Sequence, residues 1–338
     1  MDTSRTSPTR RRHLAGLIKV AVTILGALAF LLAAVGLGAR HLPVDRHLVV
    51  VAAAFAPYLM LGAPVAAVAF WLAKRRWPAA AAVLLTAAAL AVESPMFVAQ
   101  SRPQDTRSLR IVTANLFLGQ ADPQSIVELA ERDADVIAFQ ELTPEAATAL
   151  SAAGLDRTFP YQFLDARAYA SGVGMWSRYP ISGSDTISGF ELAMISARIR
   201  VDGIQADPTV IVAHVSGPWP QPVDDWRRDM ERLPATMRAA ADAADGGCVV
   251  VAGDFNATHD MRTFRELLVD GFRDGAEQAG AGITRTYPGN MPVPPLIAID
   301  HVLTRQCTAT AVETVPLPGS DHRALVSTIE VPRRPAPI

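Results

Sequence analysis

Three apolar stretches crowd into the first hundred residues: Val20 to Gly38, Leu48 to Leu72, and Pro78 to Val92 with an extension to Val98. The first two reach the roughly 20 residues a helix needs to cross a bilayer, and the third is interrupted by Glu93 and Pro95. A soluble core helix would need a water-facing side, and these stretches have almost no polar face. A lone cleavable signal would fit Arg10, Arg11 and Arg12 before the first stretch, but two further apolar runs follow. The chain is therefore expected to open with a membrane anchor over residues 1–100, with spans near 20–38, 48–72 and 78–98.

Cations set the expected orientation. Arg5, Arg10, Arg11, Arg12 and Lys19 precede or open the first span, and Lys74, Arg75 and Arg76 lie between the second and third. The loop between the first two holds only Arg40 and Arg46. Positive charge collects on the cytoplasmic side, so three spans would export everything after about residue 100. Cys248 and Cys307 both fall in that part, where an oxidising compartment permits a disulfide; two buried thiols are the alternative.

Residues 101–338 are a soluble mixture, large enough for one layered α/β core. They carry twenty-one arginines and no lysine against thirty acids, a balance of about −9. That argues against broad grip on nucleic acid, whose affinity comes mainly from neutralised phosphates. A divalent cation would change the field locally.

A polar segment, residues 101–108, reads as a linker. Beyond it, β-rich runs are expected at Leu109–Ala114, Val136–Gln140, Gly172–Ser177, Met194–Val201, Thr209–His214, Cys248–Gly253, Ile299–Thr304 and Leu325–Val331. Helices are expected at Pro123–Asp133, Pro144–Ala153, Val223–Ala244 and Met261–Leu268. Asp122-Pro123 and Thr143-Pro144 supply an N-cap followed by proline at the first turn. Several strands follow one another without a helix, which makes the sheets mixed.

The runs share a habit: each is apolar and ends in a polar residue. IVTAN ends in Asn115, VIAFQE in Glu141, VIVAH in His214, VVVAGDFN in Asp254 and Asn256, and IAID in Asp300; Gly319-Ser320-Asp321-His322 precedes the last run. Singly, each has a plain explanation: a turn cap at Asn115, a helix start at Glu141, a satisfied histidine at His214, an Asx-turn at Asp254 and Asn256, surface positions for Asp300 and His322. One shared pocket explains them together. Carboxylate and amide oxygens are hard donors suited to Mg²⁺ or Mn²⁺, and no Cys/His group has zinc spacing. Two histidines beside carboxylates can move protons near neutral pH, so the set points to metal-assisted phosphoester hydrolysis.

NL after the first run, QE after the second, a run ending in AH, then GDFN, IDHVL and SDH together resemble the endonuclease/exonuclease/phosphatase superfamily, over residues 109 to about 332 and in that family's order. With spans ahead of it, the layout is similar to an actinobacterial membrane subfamily linked with vancomycin and teicoplanin resistance. The resemblance implies an α/β (α+β) fold, a four-layer α/β/β/α sandwich, here preceded by three transmembrane helices and ending in a tail, 333–338. It implies Glu141 as main ligand of Mg²⁺ (Mn²⁺ the alternative), with Asn115 assisting and Asp321 near the metal. Asp254 would orient or deprotonate the attacking water, Asn256 hold a phosphate oxygen, His322 contact the phosphate with Asp300 fixing its ring, and His214 serve the leaving-group side.

The sequence departs from that pattern where Leu116-Phe117-Leu118 follows Asn115 in place of a second amide, and where His301 stands in place of an arginine after Asp300. Loops 218–222 and 284–295 offer Trp219, Arg285 and Tyr287 as candidate substrate contacts, against the plainer reading of self-packed proline-rich loops. The expected activity is a membrane-tethered, extracytoplasmic, Mg²⁺-dependent phosphoesterase acting on a phosphate ester or a lipid-linked (pyro)phosphate. An exported nuclease and a non-catalytic membrane scaffold are the alternatives.

Overall fold

The computed structural model describes residues 8–335 and divides into two compact units, one of residues 8–42 and 48–94, the other of 43–47 and 95–335. The smaller unit is all helix: α1 (Pro8–Ala39), α2 (His47–Ala54), α3 (Ala56–Met60), α4 (Gly62–Leu72) and α5 (Arg76–Glu93). Two helices, Arg12–Ala39 and Arg76–Phe97, are long and apolar enough to cross a membrane. The second expected span is not one straight helix, since its two parts bend by 63°. Pro57 lies at this break, where it supplies no N–H and crowds the turn before it. The bent pair makes a third crossing only if it counts as one span.

Packing in this unit inverts that of a water-soluble bundle. Its interior is small, with Ala33, Ala53, Ala63 and Ala66 fully buried, while Leu17, Leu25, Leu28, Leu31, Val65 and Leu84 face outward. Close approach of backbones needs such small residues. A side-chain carbon at Gly62 would sit 2.3 Å from the Ala29 carbonyl oxygen of α1. Arg40 and Glu93, at the C-terminal ends of α1 and α5, pair at 2.8 Å.

In the larger unit the chain runs β1 (Thr106–Asn115), α6 (Pro123–Asp133), β2 (Val136–Gln140), α7 (Pro144–Ala153), α8 (Leu155–Thr158), β3 (Tyr161–Asp165), β4 (Val173–Ser177), β5 (Ile181–Thr186), β6 (Ile195–Ile199) and β7 (Thr209–His214). It continues through α9 (Val223–Ala243), β8 (Val249–Asp254), α10 (Arg262–Arg265), β9 (Arg273–Asp274), α11 (Gly275–Ala279), β10 (Asp300–Arg305), β11 (Thr308–Pro316) and β12 (Arg323–Pro332). Two six-stranded mixed sheets result, ordered β11-β12-β1-β2-β4-β3 and β5-β6-β7-β8-β10-β9.

The expected sandwich is what the chain builds. Central strands are buried on both faces, so they read as unbroken apolar runs. On β1, Leu109 and Ile111 face the second sheet, packing with Val210, Val212, Val250 and Ala252. Their neighbours Val112 and Ala114 face outward against Ile126 and Leu129 of α6 and Leu150 of α7. The Asp122 carboxylate accepts from the Ser125 N–H, and the Thr143 hydroxyl from Ala146 N–H, so both helices begin where their caps predict. On the other side, α9 buries Trp226, Met230, Leu233 and Met237, and the Trp226 indole donates to the Phe255 carbonyl just past β8.

Several expected boundaries shift. The segment 101–108 is only partly a linker, because β1 already pairs Thr106 with Pro332. Thr106 and Ser108 look polar but donate to the Glu330 carboxylate across the strands. The helix expected over 261–268 shrinks to α10. In the tail, Arg333 still bonds to Asp105, and residues 336–338 lie outside the described part. Cys248 and Cys307 form a disulfide that joins the start of β8 to the end of β10.

Candidate active site

Strand direction gathers the polar termini at one end of the sandwich. The parallel pairs β1/β2 and β7/β8 end there, at Asn115, Glu141, His214 and Asp254. β10 and β12 run antiparallel to β8 and β1, so Asp300 and His322 begin at the same end. Asn115, Glu141 and His322 come from one sheet; His214, Asp254, Asn256 and Asp300 come from the other.

Short contacts cross between the sheets. The Asn115 amide nitrogen donates to Glu141 Oε1 and to Asp254 Oδ2, both at 3.1 Å. His322 places Nδ1 2.8 Å from Asp300 Oδ2 and Nε2 3.8 Å from Asp254 Oδ2. His214 Nε2 lies 3.9 Å from the same Asp254 oxygen. Asp321 is the outlying member, its Oδ1 4.0 Å from His322 Nε2. Among the described residues, the donor atoms of Asp254, Asp300 and His322 all lie within 4.8 Å of one another.

Local backbone geometry presents these groups. Glu141 has φ 55° and Asn256 φ 48°, conformations that cost a residue with a side chain and are kept where surrounding structure enforces them. Glu141 is held by the Leu118 N–H on Oε2 at 2.6 Å, and Asn256 by its amide donating to the Val215 carbonyl at 3.0 Å. The Asn256 N–H also donates to Asp254 Oδ1 at 2.8 Å, so the Asx-turn and the shared pocket occur together. The Phe117 N–H donates to Asn115 Oδ1, so Asn115 is locked at both ends of its amide.

Charge in the site is unbalanced. Burial pushes the Glu141 and Asp321 carboxyls up, and burial with the neighbouring Asp300 carries Asp254 up to about 7. Burial works against a charged His322, yet Asp300 and Asp254 raise its pKa to about 10. Burial and the His322 cation press His214 down to about 4, so it is neutral at pH 7. Its Nδ1 makes no hydrogen bond, although the Ala170 carbonyl is near enough to favour the proton. Carboxylates outnumber cations here, an environment that a divalent cation with hard oxygen ligands would relieve.

Four further residues support the site. Ser320 donates to the Asn115 carbonyl at 2.7 Å and accepts from the His322 N–H at 3.0 Å, tying the first and last strands. Thr286 Oγ1 accepts from the Ile299 and Asp300 N–H groups. Buried His301 spans Asp274 Oδ2 at 3.1 Å and the Ala257 carbonyl at 2.9 Å, and so braces the loop after Asn256 from behind. Ser320 inside SDH and His301 inside IDHVL carry a signal in the sequence, whereas Thr286 and Asp274 sit in stretches with no pattern.

Of the three candidate substrate contacts, Tyr287 meets the site directly, its ring 5.1 Å from that of His322. Arg285 is half-buried two residues earlier. Trp219 is 62% exposed on the loop after His214, its ring 4.9 Å from that of His47. Arg178, by contrast, is structural, donating to the Ala134 carbonyl and lying over Phe159.

The endonuclease/exonuclease/phosphatase family model matches residues 112–322, the span that contributes every one of these side chains. The chain belongs to that family. No curated protein matches the sequence. An endonuclease/exonuclease/phosphatase structure from Bacteroides vulgatus is similar at 16% identity and TM-score 0.55, over 67% of this chain and 99% of that one. D. rerio TDP2 complexed with single-strand DNA product is similar at 18% identity and TM-score 0.53, over 66% and 98%. A functionally unknown conserved protein from Enterococcus faecalis gives 14% and 0.53, over 65% and 99%. At these identities the likeness is one of fold.

Proposed function

We propose that this protein is a membrane-tethered, extracytoplasmic phosphoesterase dependent on a divalent metal, Mg²⁺ or in its place Mn²⁺. The observation that carries the reading is the cross-sheet convergence of Asn115, Glu141, Asp254, Asp300 and His322 on one buried, acidic spot. Glu141, with Asn115 and Asp321 beside it, would hold the cation, which would neutralise charge on the phosphoryl oxygens. Asp254, whose Oδ2 lies within 3.9 Å of both histidines, is placed to take a proton from the attacking water. His322, held as a cation by Asp300, donates Nε2–H toward a phosphoryl oxygen, and the Asn256 amide offers a second donor. Neutral His214, 3.9 Å from the same Asp254 oxygen, would serve the leaving-group side as a hydrogen-bond donor, the proton that the leaving group takes up coming from solvent.

The substrate class that follows is a phosphate ester or a lipid-linked (pyro)phosphate. The acidic balance of the domain disfavours nucleic acid, although the likeness to TDP2 with its DNA product keeps a nuclease as the second reading. Export is supported by the distribution of cations and by the Cys248–Cys307 disulfide. The outward leucines of the helical unit support the tether and its bilayer setting.

Phosphate and nitrophenol release should be measured from full-length protein over lipid, sugar, nucleotide and nucleic-acid esters. Activity is expected to vanish with EDTA, to return with Mg²⁺ or Mn²⁺, and to be absent in Glu141→Ala. Turnover that survives chelation and this substitution would overturn the proposal, and metal-dependent nicking of plasmid DNA alone would favour the nuclease.

A further inference from the structure

Exposed apolar side chains are distributed unevenly over the larger unit. Beyond residue 100, eight large ones are exposed among the described residues: Leu118, Tyr161, Tyr169, Trp219, Val269, Met291, Val293 and Leu296. Tyr161 lies at the end of the sandwich opposite the site, where it pairs with Ser177, the last residue of β4. Val269 lies there too, beside Asp270, whose carbonyl accepts from Arg305 at the end of β10. The other six all sit on loops at the site end.

Each of those loops is tied to a site residue. Leu118 donates its N–H to Glu141. Tyr169 belongs to the turn before β4, and the carbonyl of Gly172 in that turn accepts from Leu142, next to Glu141. Trp219 follows Val215 and Ser216, where the Asn256 amide and the buried Asp229 carboxylate bond. Met291 and Val293 lie between Tyr287, which meets His322, and Leu296, whose N–H donates to the Tyr287 carbonyl.

We propose that these six side chains form an apolar mouth that holds the hydrocarbon part of an amphiphilic phosphate ester, with its phosphate in the acidic site beneath, so that the enzyme reads a lipid. This rests on the phosphoesterase reading above. All six share the end of the sandwich that carries the site, and apolar surface collected around a polar pocket marks a place where a ligand binds. Hydrocarbon is the occupant the chain itself argues for, because its helical unit already turns leucine and valine outward, as lipid-facing helices do. A stacking platform for nucleic-acid bases would be built of aromatic rings, whereas four of the six here are aliphatic.

The test uses full-length protein in mixed micelles at fixed detergent, with p-nitrophenyl hexadecyl phosphate and p-nitrophenyl butyl phosphate as the two probes. Wild type is expected to favour the long-chain ester at least tenfold in kcat/KM. That ratio should fall at least tenfold in Met291→Ser/Val293→Ser and, separately, in Trp219→Ser. All variants keep the helical unit, so partition of enzyme and ester into micelles is common to all. A preference that persists unchanged in both variants, or its absence in wild type, overturns the mouth as a lipid site and assigns it to another occupant such as a second protein. Glu141-dependent release from neither ester would instead remove the phosphoesterase reading, and this inference with it.

Discussion

Asp254 Oδ2 is the atom on which the site turns: Asn115, His214 and His322 all address it. Its neighbours divide the work by charge, one histidine neutral and one cationic, because each sits differently with respect to Asp300 and burial. Removing the electrostatic groups should therefore show in the barrier. Glu141→Gln and His322→Gln are each expected to lower kcat on the order of 10³-fold, with folding retained by circular dichroism. His214 gives a separate readout in metal-free protein. Its folded pKa of about 4 lies below the ordinary 6.5, so the folded state holds fewer protons between those values. The stability this group contributes is present above pH 6.5 and lost as pH falls toward 4. Denaturant unfolding in EDTA at pH 7.5 and 4.5 should show His214→Asn losing less than wild type across that range, by up to about 3 kcal/mol.

At the scale of elements, the strands that carry chemistry were the legible ones. β2 and β7 have the expected bounds, and α6 and α7 begin at their Asp-Pro and Thr-Pro caps. Edge strands escaped notice: β3, β5 and β11 are half-exposed, with sequences such as ISGSDT and TATAVETVP in which the apolar pattern is diluted. The site's polar termini were legible because strand direction brings them together; its supports Thr286 and Asp274 were not, because side chains from irregular loops leave no period to read. The disulfide could not be settled from spacing either, since Cys248 and Cys307 are 59 residues apart and meet only once β8 and β10 pair. It lies at the strand ends away from the site. Replacing both cysteines by serine should cost about 4 kcal/mol in denaturant unfolding and leave kcat of the folded enzyme unchanged.

For the molecule as a whole, composition changes near residue 100 and so does the logic of packing: alanine inside and leucine outside in the helical unit, valine and isoleucine inside and arginine and acids outside in the sandwich. Polar substitution therefore has opposite consequences on the two surfaces. Leu28→Arg, on an outward position of α1, is expected to cost about 3 kcal/mol of membrane insertion and to raise the fraction of protein released by alkaline extraction. Arginine at an outward position of the sandwich, such as Thr310→Arg, should leave that fraction where it is.

Because the groups proposed to react are divided between two leaves that touch mainly through aliphatic side chains, their alignment depends on how those leaves seat. A sliding of one leaf past the other would part Asn115 from Asp254 and His322 from Asp300 in a single movement. Changes in the greasy filling, at Ile111 or Val250 for example, should thus detune turnover from a distance, without altering any group that meets the reactants.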